Sequence, residues 1–400
     1  MPLYLAVFID VLGYSVLIPF LPFFGQQYRA TPAQIGLLLS ANALFGLISG
    51  PVWGSLSDRY GRKPFLLLSQ LGTLVGFVML VFARSLTMLF VSRIVDGLFG
   101  GQFPIARAII SDLSKPQDRS REMSNIGVAH VLSSLLGPGV GGLLARYGFQ
   151  APALLAAGLT LLTMVLTIMF VPESLPAAAA TASDGPSTPA RGMGRTRVLW
   201  HNAQARQLLV QWLFHTLSFS LFMACVSLFA NLKLGMHARE VGLMLTLAGI
   251  VRVAIRFAVF VPLLNWLGDA TTARLGLGIF VVVYALVGWA TTQWQFGAAL
   301  AMASFAASCT RGPLTALLSR TVLPTEQGLA MGASSALDNL AEVVGPIVGG
   351  AILGSQPAWV YGALASLLSL VAFGISLRTL GFALDGADQE RAIASPNHGR

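Results

Sequence analysis

The stretch from Gly54 to Lys63 reads GSLSDRYGRK and carries four charged side chains within ten residues. It separates two long apolar runs, residues 33–55 and 65–83. Basic residues collect in the short loops at one face of a membrane. A loop this short and this basic between two apolar runs therefore predicts a turn at a membrane surface.

The composition extends this prediction to the whole chain. The chain is 55% hydrophobic and 10% charged, and its mean hydropathy is +0.73, whereas a soluble domain is about 25% charged. Each apolar run can cross about 30 Å of hydrocarbon as a helix and is too long for a barrel strand. The sequence therefore predicts an all-α membrane protein with twelve transmembrane helices, at 3–24, 33–55, 65–83, 87–110, 123–145, 150–171, 207–230, 239–264, 275–293, 295–319, 327–353 and 357–378.

The basic residues predict the orientation of these helices. Most of them fall in the tail and in the loops on the same side as the chain termini, whereas the other side holds only Arg29, Arg84, Arg146, Lys233 and Arg239. Because basic loops are retained in the cytoplasm, we expect a multi-pass protein of the inner or plasma membrane with both termini cytoplasmic. The net charge of +9 is then an orientation signal beside the lipid bilayer and implies no nucleic acid.

The chain also divides into two related halves. Residues 172–206 are rich in Ala, Ser, Pro and Gly and predict a flexible cytoplasmic linker between six-helix bundles at 1–171 and 207–380, with a disordered tail at 381–400. At an offset of 208 residues the run GPGVGG of the fifth predicted helix matches GPIVGG of the eleventh. Two pseudo-symmetric bundles are therefore expected, with a binding site between them near the membrane midplane. The matched residues are Gly137, Pro138, Gly141 and Gly142, and Gly345, Pro346, Gly349 and Gly350.

Charged and titratable residues inside the predicted helices indicate where that site lies. Each charged side chain near a helix centre costs roughly 2.5–3.5 kcal/mol in lipid, so these residues must face a wet or paired interior. Arg252 with Arg256, and Asp338 with Glu342, could form a structural cluster of ion pairs, or could bind a substrate that is either cationic or anionic. The predicted cavity residues are His130, His215, Arg252, Arg256, Arg311, Asp338 and Glu342. Asp10, Arg93 and Asp96 also lie inside predicted helices.

Several motifs resemble those of one known family. GSLSDRYGRK is similar to the signature between helices 2 and 3 of the major facilitator superfamily, and DVLGYSVLIPFLP, from Asp10 to Pro22, resembles the first-helix signature of its drug:proton antiporters, especially tetracycline exporters. RIVDG, from Arg93 to Gly97, resembles the fourth-helix signature, and the GP-x-x-GG run the fifth-helix one. The residues between predicted helices 8 and 9 lack the basic cluster, so a second loop of this type is not expected there.

The resemblance implies roles for two sets of residues. Asp10 would bind and release protons with help from Arg93 and Asp96, because burial disfavours the charged form of a carboxyl group; Arg93 and Asp96 could equally be an internal ion pair. The loop residues would gate the transporter from the cytoplasmic side, with Arg62 bound to an acid at the end of helix 4; they could also be a basic turn that only fixes topology. The gating set is Gly54, Asp58, Arg59, Gly61, Arg62 and Asp112.

Taken together, the sequence predicts a secondary transporter that exports small amphipathic compounds in exchange for protons by alternating access. The alternatives are a facilitator or proton symporter for a metabolite such as a sugar or an organic anion, and a membrane scaffold that transports nothing. The chain carries no nucleotide-binding GxxxxGK[ST] loop, no HExxH and no nucleophile elbow. We therefore expect no enzyme activity, cofactor or metal site, and a monomer whose partners are a small-molecule substrate and protons.

Overall fold

The computed structural model describes residues 2–114, 118–174, 199, 201–323 and 326–394, and within these the chain is helical without a strand. A 3-10 turn, Ile18–Phe20, joins the first two helices, and a π-helical turn, Arg256–Phe260, joins the helix Ala238–Ile255 to the helix Val261–Trp289. The helices are α1 Pro2–Leu17, α2 Leu21–Gln27, α3 Pro32–Tyr60, α4 Arg62–Val81, α5 Leu86–Leu98, α6 Gln102–Leu113, α7 Arg119–Leu144, α8 Gln150–Phe170, α9 Ala203–Leu234, α10 Ala238–Ile255, α11 Val261–Trp289, α12 Gln293–Arg320, α13 Gln327–Ser355 and α14 Ala358–Ala394.

Local sequence sets where these helices begin. Thr31 caps α3 through a reciprocal pair of hydrogen bonds with Gln34, which satisfies backbone N–H groups that have no partner in the first turn. Asn202 caps α9, because its side-chain oxygen accepts from the backbone N–H groups of the residues two and three positions later. The amide of Asn202 also donates to the carbonyl of Thr321 (2.8 Å), so the start of α9 is tied to the end of α12.

The membrane spans agree with the prediction except in three places. Of the described helices, ten are long and apolar enough to cross a membrane. The other two predicted spans are the fourth, which is broken into α5 and α6, and the tenth, α12, which is rich in Ala, Ser and Thr. The third difference is a boundary: α10 and α11 continue without a loop to a sharp kink at Gly268 (φ 72°, ψ 173°).

The carboxyl-terminal helix is longer than the sequence predicted. Helix α14 continues to Ala394, through the first part of the predicted disordered tail. This extension contains Ala, Leu, Glu and Gln, which are good helix formers. Residues 395–400 and most of the predicted linker, 175–198 and 200, lie outside the described residues.

The helices pack into two groups that meet along two seams. In the first group α1 packs on α7 and α8, and in the second α9 packs on α13 and α14. The seams between the groups are α3 against α13 and α7 against α10. At the seams the backbones nearly touch, since a Cβ atom added to Gly350 would lie 2.8 Å from Gly36 Cα and one added to Gly142 would lie 3.1 Å from Gly242 Cα. This is the close helix approach that small residues permit in membranes.

These seams close one face of the molecule. We call the face where α1 begins and α3 ends the terminal face, and the other the opposite face. Gly36 and Gly350 lie in the half of their helices nearer the opposite face, as do Gly142 and Gly242. Phe20 and Phe23 of the first group also join the buried core of the second, beside Phe222 and other residues of α9. The two groups are therefore packed together at the opposite face.

Candidate functional site

A large cavity lies between the two groups of helices. Its volume is about 400 Å³, which is within the usual range for a pocket that binds a drug-sized ligand. The lining mixes aromatic and charged side chains from both groups, including Tyr14, His130, Phe219, Arg252, Tyr284 and Glu342. A cavity shared by two bundles is where a transporter of this architecture binds its substrate.

Asp10 lies beside this cavity at a small pocket of its own, lined by residues of α1, α4, α6 and α8. With its amide nitrogen turned toward the carboxylate, Gln102 donates to both oxygens of Asp10 and accepts from the hydroxyl of Thr73 (2.7 Å). The carboxylate is also close enough to Asp96 for the two negative charges to repel each other. Asp10 is thus held by neutral hydrogen-bonding groups rather than by a cation.

The break between α5 and α6 brings Gln102 to this position. Side chains from neighbouring helices satisfy the backbone groups that the break leaves free. The indole of Trp53 donates to the carbonyl of Leu98 (2.6 Å), the hydroxyl of Ser69 donates to the carbonyl of Phe99, and the N–H of Gly101 donates back to Ser69 (3.0 Å). A discontinuous helix inside a membrane is stable only when its free backbone groups are satisfied in this way.

Arg93 and Asp96 lie just before the break and are buried together. Their side chains form an ion pair (Nη1 to Oδ2, 3.2 Å), and Asp96 also accepts from the amide of Asn42 (2.6 Å). The guanidinium of Arg93 is completely buried over the ring of Phe77 (5.4 Å). Its Nε and Nη2 have no hydrogen-bond partner within the described part of the chain, so the pair is only partly satisfied.

The loop motif forms a polar cluster on the terminal face. Arg62 makes an ion pair with Asp58, a second with Asp112 (Nε to Oδ2, 3.2 Å), and a hydrogen bond to the hydroxyl of Ser57 (3.1 Å). Gly61 links the two helices at φ 108°, a conformation that other residues rarely adopt. The cluster lies entirely within the first group of helices. Of the remaining motif residues, Arg59 lies over the ring of Tyr60, and a Cβ at Gly54 would meet no atom within 4 Å.

Glu173 completes this cluster from the end of the sixth span. Its carboxylate accepts from the backbone N–H of Arg62 (2.8 Å) and of Lys63 (3.1 Å). A negative charge at these positions compensates the free N–H groups and the positive dipole at the start of α4. Ser174 next to it donates to Asp112 (3.2 Å). The end of α8 is therefore fastened to the start of α4 and the end of α6.

The matched glycine runs occupy equivalent places in the two groups. Cβ atoms added to Gly137 and Gly141 would strike α1, and Cβ atoms added to Gly345 and Gly349 would strike α9. The last glycine of each run instead faces the other group, Gly142 toward α10 and Gly350 toward α3. Pro138 lines the cavity, and the carbonyl of Pro346 accepts from the thiol of Cys225 (3.7 Å). Each run thus packs within its own group on one side and across the seam on the other.

The predicted cavity residues of the second group separate into paired and unpaired sets. Asp338 accepts from Arg311 (2.6 Å), Trp212 (2.9 Å) and Thr216 (2.8 Å). Glu342 and Arg252 line the cavity, and Arg256 is exposed at the start of the π-helical turn. The four residues therefore do not form the cluster of two opposed pairs that was one alternative.

The two predicted histidines lie in different surroundings. His130 lines the central cavity, 5.8 Å from the ring of Phe103 between centroids. His215 is buried inside the second group, against the rings of Phe280 (5.4 Å) and Phe219 (6.3 Å). It is not among the residues that line the cavity, because it faces the core side of α9.

The second group has an ion pair at the place equivalent to that of Arg62 and Asp112, with the acidic and the basic residue in exchanged positions. Asp269 directly follows the kink at Gly268, as Arg62 follows Gly61, and it pairs with Arg320 at the end of α12 (3.0 Å). At the offset of 208 residues, Arg320 corresponds to Asp112. The basic cluster is absent from this loop, but an ion pair at the equivalent position is present.

Sequence reasoning missed several residues of this site. Gln102, Thr73 and Asn42 are neutral, and their importance depends on a helix break that the sequence did not predict. Arg107 could have been found, because it lies inside a predicted helix like the other charged residues. Glu173 could also have been found, because an acid directly after a helix is available to a nearby helix start.

These features define a class of protein: a multi-pass membrane transporter with two pseudo-symmetric bundles around a central cavity. The family profile described as "Major Facilitator Superfamily" matches residues 3–259 and 208–393. The chain therefore belongs to the major facilitator superfamily, as its motifs predicted, and the predicted all-α fold is confirmed.

Relatives and solved structures agree with this assignment. The chain is 24% identical to the class H tetracycline resistance protein of Pasteurella multocida, over 97% of each chain. It is 28% identical to the class C protein of Escherichia coli, over 92% of this chain and 94% of the relative. The crystal structure of the human organic anion transporter MFSD10 (TETRAN) superposes with a TM-score of 0.69 at 23% identity, over 94% of this chain and 98% of that one. These similarities point to a transporter of small molecules rather than an enzyme.

Proposed function

We propose that this protein is a proton-coupled exporter of small amphipathic compounds that works by alternating access. The observation that carries the proposal is Asp10, held by Gln102 at the break between α5 and α6 and close to the pair of Arg93 and Asp96. Proton binding at Asp10 would alter these contacts beside the substrate cavity. The similarity to tetracycline resistance proteins supports export as the direction of transport.

Its setting would be the inner or plasma membrane, as a monomer with both termini in the cytoplasm. The terminal face is then cytoplasmic, and the packed seams at the opposite face correspond to an inward-facing state. Asp58, Arg62 and Asp112 would gate on the cytoplasmic side, with Glu173 as a further member of the cluster. In the outward-facing state this surface would close against the second group of helices. Residues 172–206 would serve as the cytoplasmic linker between bundles at 1–171 and 207–380.

Asp10→Asn tests the proposal. Asn keeps the hydrogen-bonding shape of Asp but cannot release a proton, so we expect proton-driven export to fall by more than tenfold while the protein still folds. The measurement is drug susceptibility of a pump-deficient host, followed by proton efflux from proteoliposomes when substrate is added. Asp118→Asn, on the terminal face before α7, is the matched control. Unchanged proton coupling in Asp10→Asn would refute the assignment.

A facilitator or proton symporter for a metabolite is the second candidate, favoured by the charged side chains of Arg252 and Glu342 in the cavity lining. Export and uptake are separated in inverted vesicles with an imposed proton gradient. In inverted vesicles that are acidic inside, a proton-coupled exporter takes up substrate while protons leave. A symporter instead moves substrate and protons in the same direction.

A further inference from the structure

The small pocket at Asp10 has four polar side chains in an otherwise apolar lining. They are Asp10, Gln70, Gln102 and Thr163, and the other lining residues are Leu, Ala, Val and Phe. The volume of the pocket is about 10 Å³, which is the space that one water-sized particle occupies. Its lining residues differ from those of the central cavity, so it is a separate site inside the first group of helices.

The hydrogen bonds around Gln70 leave its side-chain oxygen available to a ligand. The hydroxyl of Thr167 donates its single hydrogen to the carbonyl of Thr163 (2.9 Å), so toward Gln70 it can only accept, from the amide nitrogen (3.0 Å). This fixes the orientation of the amide. The oxygen Oε1 of Gln70, a residue that is only 2% exposed, is left without a hydrogen-bond partner in the described part of the chain. A buried acceptor of this kind is costly unless something binds it.

The other polar groups of the pocket are acceptors as well. The hydroxyl of Thr163 donates its hydrogen to the carbonyl of Leu159 (3.0 Å), so only its lone pairs remain. The carboxylate of Asp10 keeps further lone pairs beyond the bonds that it accepts from Gln102. A water molecule has two hydrogens for these three acceptor groups, whereas a metal cation can bind all of them.

The charges around the pocket also favour a cation. Arg93 and Asp96 neutralise each other through their ion pair, and Asp10 is held by the neutral amide of Gln102, so one negative charge is left over. An uncompensated charge inside a membrane is expensive. A single carboxylate balances a single positive charge, whereas Ca²⁺ sites usually collect several carboxylates. Coupling ions bind at discontinuous membrane helices in transporters, and here the break between α5 and α6 supplies Gln102.

We infer that this pocket binds one Na⁺ ion through the carboxylate of Asp10, Oε1 of Gln70 and the hydroxyl oxygen of Thr163. The small volume favours Na⁺ or Li⁺ over the larger K⁺. Two of the three ligands are neutral side chains, so the site was not predictable from charge in the sequence. Its consequence for transport rests on the proposed function: Na⁺ and a proton would compete for the same carboxylate. The binding site itself does not depend on that function.

Binding of radiolabelled Na⁺ to the purified full-length protein tests this inference separately from transport. The melting temperature in NaCl, KCl and choline chloride at equal concentration is the second measurement. We expect NaCl to stabilise the protein relative to the other two salts, because an ion that binds only the folded state raises its stability. Thr163→Val removes the hydroxyl at nearly constant shape and should weaken Na⁺ binding by about tenfold or more, the usual effect of losing a group that supports a metal ion. Asp10→Asn should abolish the binding.

Thr160→Val is the matched control. Thr160 lies three residues before Thr163 on α8, is buried, and donates in the same way to a backbone carbonyl, that of Ala156 (3.0 Å). It does not belong to the lining of the pocket, so Thr160→Val should bind Na⁺ normally. An equal loss of binding in the two Thr variants would mean that α8 has loosened generally and would overturn the assignment.

Two further results would each overturn the inference. They are Na⁺ binding no stronger than that of K⁺, and Na⁺ binding that survives in Asp10→Asn. Na⁺ binding together with export that is not coupled to protons would instead refute the proposed function and leave the site standing. Proton-coupled export without Na⁺ binding would do the reverse. A monodisperse gel-filtration profile for every variant excludes misfolding as the cause.

Discussion

At the scale of single residues, charged side chains inside the helices indicate where the candidate site lies, and neutral polar side chains bind them there. Asp10, Arg93 and Asp96 were predictable because charged groups cannot face lipid at low cost. Gln102, Thr73 and Asn42 were not, because a neutral polar side chain in a helix carries no such penalty. What gives them a role is their position in three dimensions, next to the break at residues 99–101.

Glu173 gives a prediction at this scale. Glu173→Ala removes the acceptor for two backbone N–H groups at the start of α4, so we expect a loss of about 1 kcal/mol of stability, the usual effect of deleting a helix cap. The melting temperature of the detergent-solubilised protein and its transport rate are the measurements. Glu122→Ala, which removes a bond to Asn125 within one helix, is the control. Equal stability of the two variants would argue against the role of Glu173.

At the scale of elements, the sequence predicted the helices well and their breaks poorly. Hydropathy over about twenty residues identifies a span, but it averages over the glycines at 97, 100 and 101 that end α5. The same averaging placed a loop before residue 275, where the structure has one kinked residue, Gly268. The two groups nevertheless share a local feature, because Gly61 and Gly268 both have positive φ and both precede a member of an ion pair.

The charge-exchanged pair gives a prediction at the scale of elements. Arg320→Asp places two acids side by side at the ends of α12 and the eighth span, and should lower stability. Combining it with Asp269→Arg restores an ion pair of opposite polarity and should recover most of the loss. Because Arg320 is largely exposed, the interaction should be worth about 0.5–1 kcal/mol. A double-mutant cycle of melting temperatures measures it, and strictly additive effects would contradict the pairing.

At the scale of the whole molecule, the seams determine which face of the cavity is closed. A side chain at position 350 would collide with the carbonyl of Pro32 and with Gly36, whose distances from an added Cβ are 2.5 Å and 2.8 Å. Gly350→Leu should therefore hold the opposite face open and stop the transport cycle. Distances between spin labels across that face should lengthen. Gly374→Leu, where an added Cβ meets no atom within 4 Å, should behave like the unmodified protein; an unchanged distance distribution in Gly350→Leu would contradict the prediction.

The described ends of the predicted linker are each bound to their own group of helices. Glu173 binds the start of α4 on one side, and Asn202 binds Thr321 on the other. Each bundle therefore fixes its own end of the predicted linker. Two separately translated fragments, split inside the predicted linker and co-expressed, should associate in the membrane and form an active transporter.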